Sequence, residues 1–152
     1  MIAVLQRINK ATVYADGVLS GEVGRGLYIL LGVAVGDAEA DSSALAEKIS
    51  KLRIFCDEND KMNLSATDVG AEILVVSNFT LNANYSHGNR PDYFSSAAPV
   101  EANRLYEHFI SALKNKNFKV ECGVFGADMR TELSTDGPVT IVMDSNVLLK
   151  KK

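Results

Sequence analysis

The sequence is poor in the residues that build metal centres and disulfide frameworks. Only two cysteines and two histidines occur among its 152 residues. Cys56 and Cys122 lie far apart and outside any C-x-x-C arrangement, so we expect both to be reduced packing residues. With His87 and His108 as the only histidines, a histidine-based metal site is disfavoured. We therefore predict neither a metal nor a cofactor.

Long apolar runs and an excess of basic charge are also absent. No run is long enough for a membrane-spanning helix, and the segment 1–7 alternates like a strand instead of resembling a signal peptide, so we expect a cytoplasmic protein with no membrane partner. The formal net charge is −3, whereas proteins that coat nucleic acid usually carry a basic surplus. Lysines cluster at 114–119 and 150–152, which leaves a local contact with one end of an RNA open.

What is present is the composition of a globular protein, with 47% hydrophobic and 23% charged residues. A chain of this length buries about 70% of its extended surface without staples, so residues 1–152 are expected to form one domain. Asp16-Gly17 fits a two-residue hairpin turn, and the run 27–35, apolar on both faces, predicts a central strand covered from both sides. The predicted strands are 2–8, 11–15, 18–23, 27–35, 71–76, 118–124 and 138–144.

Two amphipathic helices are predicted between these strands. The first begins near Asp37 or Asp41, ends near Phe55, and buries Leu45, Ile49 and Leu52. The second begins at Pro99 and buries Ala102, Leu105, Tyr106, Phe109, Ile110 and Leu113. The pattern predicts an α/β fold: a single compact domain with mixed β-sheets and two main α-helices.

Three motif-like segments are better explained without a binding site. Segment 57–61 resembles the start of a calcium loop, but Lys61 replaces an acidic ligand, so we predict a plain turn. No Walker loop, dinucleotide fingerprint or G-x-S-x-G elbow is present, and the glycines of 21–26 have the spacing of hairpins. His87 as a base for Ser77 or Thr80 would give a serine-type hydrolase, but no acid at a suggestive spacing supports it.

Two short polar segments are the stronger candidates for a functional site. Ser77-Asn78-Phe79-Thr80-Leu81 begins where an apolar strand ends, so its backbone N–H groups and hydroxyls can leave the ladder and face a pocket. Capping of the strand end is the alternative. In Thr135-Asp136-Gly137-Pro138-Val139-Thr140, a glycine precedes the proline that opens the last predicted strand. A plain turn is the alternative here, and Gly-Pro is also a sequence that can adopt a cis peptide.

Together these segments resemble the D-aminoacyl-tRNA deacylase family, whose signatures are a Ser-Gln-x-x-Leu segment and an Asn-x-Pro-x-Thr-like segment containing Gly-Pro. The resemblance extends along the whole chain and departs from the family in two places. Asn78 stands where the family usually has glutamine, and Asp136 stands where asparagine can occur. The other matching stretches are 6–8, 53–55, 61–64, Gly88 with Arg90-Pro91, and 125–129.

The resemblance implies a D-aminoacyl-tRNA deacylase-like fold and a cytoplasmic homodimer with active sites at the subunit interface. Such a protein hydrolyses the ester between a D-amino acid and the 3′ end of tRNA, and glycine mischarged on alanine tRNA is a further expected substrate. Ser77, Asn78, Phe79 and Thr80 would form the catalytic floor. Because an aminoacyl ester is already activated, we expect the site mainly to stabilise the developing oxyanion, with the backbone N–H groups of Phe79 and Thr80 as donors. Residues of the substrate pocket and of chiral rejection would be Leu81, Gly137, Pro138, Val139 and Thr140, with Gly137 and Pro138 acting in trans and Arg7 as a brace.

A non-catalytic reading stays open on the sequence alone. The same sequence features also fit a dimeric accessory protein that binds nucleic-acid ends, or a partner, without turnover. Hydrolysis of a D-aminoacyl-tRNA would separate the two, because only the enzyme turns the ester over.

Overall fold

A six-stranded mixed sheet forms the centre of the fold in the computed structural model, which describes residues 1–150. The strand order is β2-β1-β3-β6-β7, and β8 pairs with β1. β1 runs antiparallel to β2, β3 and β8, whereas β6 runs parallel to β3 and β7. The strands of this sheet are β1 Ile2–Ala15, β2 Val18–Val23, β3 Gly26–Gly32, β6 Glu72–Ser77, β7 Lys119–Cys122 and β8 Met129–Asp144, and β4 Phe55–Cys56 with β5 Met62–Leu64 forms a separate hairpin.

Four α-helices accompany the sheet in the described residues: α1 Glu39–Lys51, α2 Ala66–Val69, α3 Pro99–Lys114 and α4 Ser145–Leu149. The long helices α1 and α3 pack against each other, which confirms the two main predicted helices. The predicted end of the first helix is wrong, because the chain becomes extended at Leu52 and Phe55 enters β4. Asp41 lies inside the first turn, where its carboxylate accepts the N–H of Ala38 at 2.8 Å. No helix within residues 1–150 is long and apolar enough to cross a membrane.

Two predicted strand boundaries are also wrong. The runs 2–8 and 11–15 form one continuous strand, because exposed Lys10 keeps its place in the ladder opposite Ser134. β8 begins at Met129, nine residues before the predicted start at Pro138. The β1–β8 register shifts on both sides of Ile8. A proline is tolerated inside β8 because this strand lies at the sheet edge and the ladder is irregular there.

The sheet is covered on both faces of β3, as predicted. Leu27, Ile29 and Leu31 point into the larger core beneath α1 and α3, whereas Tyr28 is buried in a second cluster on the opposite face. The Asp16-Gly17 hairpin turn is confirmed by the pairing of β1 with β2 and by positive φ angles of 48° and 81°.

The polar segments that were set aside in the sequence have structural roles. The carboxylate of Asp57 accepts the backbone N–H groups of Asn59 and Lys61, at 2.8 and 3.1 Å, in the turn between β4 and β5. Cys56 and Cys122 are free thiols, as predicted. Lysines 151 and 152 of the predicted C-terminal cluster lie outside the described residues.

Candidate active site

A cavity of about 830 Å³ opens where β6 ends. Ser77 is the last residue of β6 and pairs with Leu31 of β3, and the N–H of Asn78 still donates to the carbonyl of Leu31 at 2.8 Å. The chain then leaves the ladder and forms a 3-10 helix, Phe79–Asn82. The cavity is lined by Ser77, Asn78 and Phe79 together with Leu31, Val33, Val35, Tyr93, Phe94, Ser96, Ala97, Ala98, Pro99, Ala102, Tyr106, Phe125, Gly126, Ala127 and Met129.

Asn78 caps this short helix. Its side-chain oxygen accepts the backbone N–H of Thr80 at 3.2 Å and also the hydroxyl of Thr80. A short side chain that bonds to the backbone two residues ahead is typical of asparagine and serine at a helix start. The oxygen of Asn78 is therefore engaged within the loop, and so are both donors of Thr80. Neither Thr80 nor Leu81 lines the cavity.

Phe79 combines an aromatic wall with an available backbone donor. The residue is 59% exposed, and its ring meets the ring of Tyr93 edge to face, with centroids 5.0 Å apart. Its carbonyl accepts the hydroxyl of Ser96 at 3.0 Å. Its N–H donates to no group in residues 1–150. Of the two predicted oxyanion donors, only the N–H of Phe79 lacks an internal partner.

The cavity offers no side chain suited to proton transfer near neutral pH. Among residues 1–150, its lining includes no His, Cys, Asp, Glu, Lys or Arg. The hydroxyl of Tyr106 donates to the carbonyl of Val75 at 3.0 Å, and burial raises the pKa of Tyr106 well above its ordinary value. That hydroxyl therefore stays protonated and occupied. No cluster of three metal-ligating residues occurs within residues 1–150.

His87 does not contact Ser77 or Thr80. Its Nδ1 lies 2.7 Å from the hydroxyl of Ser86, in an exposed loop, and His87 does not line the cavity. The structure therefore gives no support to a serine–histidine pair.

The second predicted segment, 135–140, lies outside the cavity lining. Residues 137–140 belong to β8, opposite β1, and none of them lines the cavity. Gly137, Pro138 and Thr140 are exposed, whereas Val139 packs partly against the core. The Gly137–Pro138 peptide bond is cis. Within the chain, the two predicted segments thus occupy separate places.

Arg7 binds Asp136, the residue that precedes Gly137. Its side chain is buried, and its Nη1 donates to the carbonyl of Ile54 at 2.7 Å. Its Nε lies 3.0 Å from the carboxylate of Asp136 and 3.2 Å from the carbonyl of the same residue. Bonding to both groups of Asp136 fixes the backbone on the approach to Gly137.

Sequence reasoning missed most of the cavity wall. Tyr106 was assigned only to the buried stripe of the second predicted helix, and Tyr93 belonged to no predicted helix, strand or site. Phe125 and Met129 lie in a stretch that matched the family pattern, which was the one available signal for them. The full cavity lining comes from four separate parts of the chain, 31–35, 77–79, 93–106 and 125–129, so no local sequence pattern predicts it.

Similarity to known proteins extends along nearly the whole chain. A family model described as D-Tyr-tRNA(Tyr) deacylase matches residues 4–144. The chain is 51% identical over 144 residues to a D-aminoacyl-tRNA deacylase from Pelobacter propionicus, covering 95% of this chain and 99% of that protein. It is 51% identical over 145 residues to the protein of the same name from Thermosipho africanus, covering 95% and 97%.

Two solved structures share the fold. The c-Myc DNA Unwinding Element Binding Protein has a TM-score of 0.88 and 36% identity, covering 95% of this chain and 98% of that one. A probable eukaryotic D-amino acid tRNA deacylase has a TM-score of 0.80 at 15% identity, covering 94% and 98%, which shows likeness of fold alone. Because the family model and relatives at about half identity cover nearly all of the sequence, the chain belongs to the D-Tyr-tRNA(Tyr) deacylase family.

Proposed function

We propose that this protein hydrolyses the ester that joins a D-amino acid to the 3′-terminal adenosine of tRNA, in the cytoplasm, and releases the free amino acid and tRNA. The family match over residues 4–144 is the observation that carries this function. The mainly apolar cavity at the end of β6 is the proposed substrate site, with a free backbone N–H on its wall.

The chemistry proposed for the site is positioning and oxyanion stabilisation. An aminoacyl ester is already activated. The neighbouring 2′-hydroxyl of the RNA assists the attack of water on the ester carbonyl, and the 3′-oxygen of the tRNA is the leaving group, so the protein needs no nucleophile of its own. The N–H of Phe79 donates to the developing oxyanion, since it has no internal partner. Asn78 holds Thr80 and the 3-10 helix in place. Among residues 1–150, the cavity wall has no histidine, cysteine, carboxylate, lysine or arginine, which suits this mechanism better than general acid–base catalysis.

A homodimer is proposed to complete the site. Within residues 1–150, β8 pairs only with β1, so one edge of this strand of 16 residues is open to a second copy. Val142 on β8 is 69% exposed, and its ladder neighbour Val4 and then Leu30 extend the same apolar row across the sheet. An apolar row that is left exposed on a sheet in this way is typical of subunit interfaces.

Gly137 and Pro138 are proposed to enter the cavity of the partner subunit and to reject L-amino acids. Within the protomer they are exposed and outside the cavity, which suits a role in trans. A wall close to the substrate Cα excludes an L side chain by collision but admits a D side chain pointing away from it. Glycyl esters, which have no side chain to collide, enter as well. Val139, Thr140 and Leu81 support the two sides of this contact.

One comparison favours a second candidate function. The c-Myc DNA Unwinding Element Binding Protein carries its DNA-related name at 36% identity and shares the fold. A non-catalytic nucleic-acid-binding protein is therefore retained as the alternative.

Matched D- and L-tyrosyl-tRNA test the proposal directly. We expect release of D-tyrosine well above the spontaneous rate and no acceleration with the L-ester. Binding of tRNA without accelerated release of either amino acid would establish the non-catalytic alternative. Equal acceleration of both esters would contradict the chiral role of Gly137 and Pro138.

A further inference from the structure

All exposed aromatic side chains of the described chain lie in one short stretch. The protein has five tyrosines and six phenylalanines, all of them within residues 1–150. Only Phe79, Tyr85 and Phe94 are exposed, at 59%, 82% and 90%. Phe79 and Phe94 line the mouth of the cavity, and Tyr85 lies on the loop between them. Large exposed aromatics concentrated at one site indicate a surface that a ligand covers.

The same loop carries an arginine without a partner. Five of the six arginines are engaged within the protein: Arg7 with Asp136, Arg25 over the ring of Phe55, Arg53 with the carbonyl of Asn63, Arg104 with Glu39 and Glu101, and Arg130 with Glu132. Arg90 is exposed and makes no hydrogen bond or ion pair within residues 1–150. Its guanidinium is therefore available to an anionic ligand.

The loop is closed at its base by hydrogen bonds between its two end residues, and it leads directly into Tyr93 and Phe94 of the cavity wall. Asn84 and Asp92 exchange both backbone hydrogen bonds, each 2.9 Å, and the side-chain amide of Asn84 donates to the carboxylate of Asp92 at 3.0 Å. The same carboxylate accepts the N–H of Phe94 at 3.3 Å. Asp92 is the only acidic residue between positions 84 and 92, and its carboxylate is used in the hydrogen bonds that close the base of the loop. We call residues 84–92 the clasped loop.

We propose that the clasped loop binds the single-stranded nucleotides that immediately precede the terminal adenosine of the substrate tRNA. Tyr85 stacks on a base and Arg90 pairs with a backbone phosphate. This inference rests on the proposed function, because it supplies the RNA-binding surface for the same active site.

Single-stranded RNA fits these groups better than a second copy of the chain. Recognition of single strands combines aromatic faces for bases with cations for phosphates. The clasped loop has both, beside the cavity that would hold the terminal ester. The proposed subunit interface offers a different kind of surface, an apolar row of valine and leucine on the sheet. A contact of a few nucleotides also suits a protein of net charge −3.

The test compares two substrates that differ only in the RNA preceding the adenosine: D-tyrosyl-tRNA and 3′-O-D-tyrosyl-adenosine. We expect Tyr85→Ala to raise KM for D-tyrosyl-tRNA about tenfold, the effect of one lost stacking contact, with kcat unchanged. Arg90→Ala should also raise this KM and should lower the slope of log KM against log salt by about 0.7, the value for one released phosphate contact. Neither variant should alter kcat/KM for D-tyrosyl-adenosine.

Conservative variants and a distant arginine serve as controls. Tyr85→Phe keeps the ring and should behave as wild type, and Arg90→Lys should keep most of the salt slope. Arg53→Ala removes an exposed arginine of a segment that does not line the cavity, and it should change neither substrate's kinetics.

Three results would overturn the inference: unchanged kinetics of the Ala variants on D-tyrosyl-tRNA, equal losses on both substrates, or a loss caused by dissociation of an oligomer in sedimentation. Failure of the proposed function looks different, because the wild-type protein would then hydrolyse neither substrate.

Discussion

At the scale of single residues, the proposed chemistry depends on a backbone group that sequence comparison cannot display. Phe79 is the first residue of its 3-10 helix, where an N–H has no partner inside the helix. Because Asn78 already occupies the N–H of Thr80, the donor at position 79 is the one left for a substrate oxyanion.

Replacing Phe79 by proline tests this donor. Proline is tolerated at the first position of a helix and removes the N–H, and Asn78, with φ −149° and ψ 92°, lies outside the α region that is disfavoured before proline. We expect Phe79→Pro to lower kcat on D-tyrosyl-tRNA about 100-fold or more. Phe79→Ala keeps the N–H and loses only the contact with Tyr93, so its loss should stay below about tenfold. Equal losses in the two variants, measured in single turnover with folding checked by circular dichroism, would assign the effect to the ring.

At the scale of secondary structure, the start of β3 has no room for a side chain. Gly26 lies beside Glu72 of β6, and a Cβ at position 26 would lie 1.8 Å from the carbonyl oxygen of Glu72. The two parallel strands could accept it only by moving apart, which would disturb the edge of both cores. At Gly24 the nearest atom, a carboxylate oxygen of Glu72, would be 3.6 Å away, an ordinary contact.

The two glycines therefore form a matched pair. We expect Gly26→Ala to lower the free energy of unfolding by about 3 kcal/mol or more, the upper range for overpacking. Gly24→Ala should change it by less than about 0.5 kcal/mol. Urea unfolding followed by circular dichroism measures both. Similar midpoints for the two variants would show that β3 and β6 separate at little cost.

The contact between α1 and the end of α3 makes stability depend on acid pH. Glu47 of α1 pairs with Lys116, just beyond α3, and with Lys51, and these pairs lower the pKa of Glu47 from its ordinary value of 4.5 to about 2. A carboxylate with a lowered pKa in the folded state stabilises the fold above its unfolded pKa, and this stabilisation is lost as the pH falls through the folded pKa. The loss should therefore occur between pH 4.5 and about 2.

Glu47→Gln should remove this part of the acid transition. We expect the free energy of unfolding of the variant to fall less steeply than that of the wild type between pH 4.5 and about 2. Urea titrations at a series of pH values measure the slope. Glu58→Gln is the control, because Glu58 is exposed and forms no ion pair within residues 1–150. Parallel curves for wild type and Glu47→Gln would show that the pair has no effect on stability.

Element prediction succeeded where one periodicity dominates. The apolar stripe that follows Pro99 gave α3, and the uniformly apolar run at Leu27 gave the central strand β3. It failed at β8, where exposed and half-buried residues alternate weakly and a glycine and a proline interrupt the strand. That strand exists because β1 provides its ladder along the whole length, which is a tertiary cause with no local signal. The contact of Arg7 with Asp136 spans 129 residues and could be expected only from the family resemblance.

At the scale of the whole molecule, the proposed site is divided between two surfaces. The cavity at the end of β6 has the oxyanion donor but none of residues 137–140. Gly137 and Pro138 lie on β8, the strand whose free edge and exposed Val142 we propose as the dimer contact. Arg7 holds the backbone just before them. If the dimer forms there, assembly and completion of the site are a single event, and each cavity depends on the partner's β8.

Mixing two inactive variants tests this division. Phe79→Pro damages the cavity, and Gly137→Ala damages the partner-facing segment, since φ at Gly137 is +142° and a Cβ there would lie 2.4 Å from the N–H nitrogen of Val139. When equal amounts of both variants assemble into two-fold dimers, half of the dimers contain one copy of each variant. In each mixed dimer, one of the two sites combines the intact cavity of one subunit with the intact segment of the other. About a quarter of all sites are then intact, so about a quarter of wild-type activity should return. Sites formed within one protomer would regain none, because every protomer then carries one damaged part. Co-refolding followed by the D-tyrosyl-tRNA assay, with each variant refolded alone as the control, distinguishes the two arrangements.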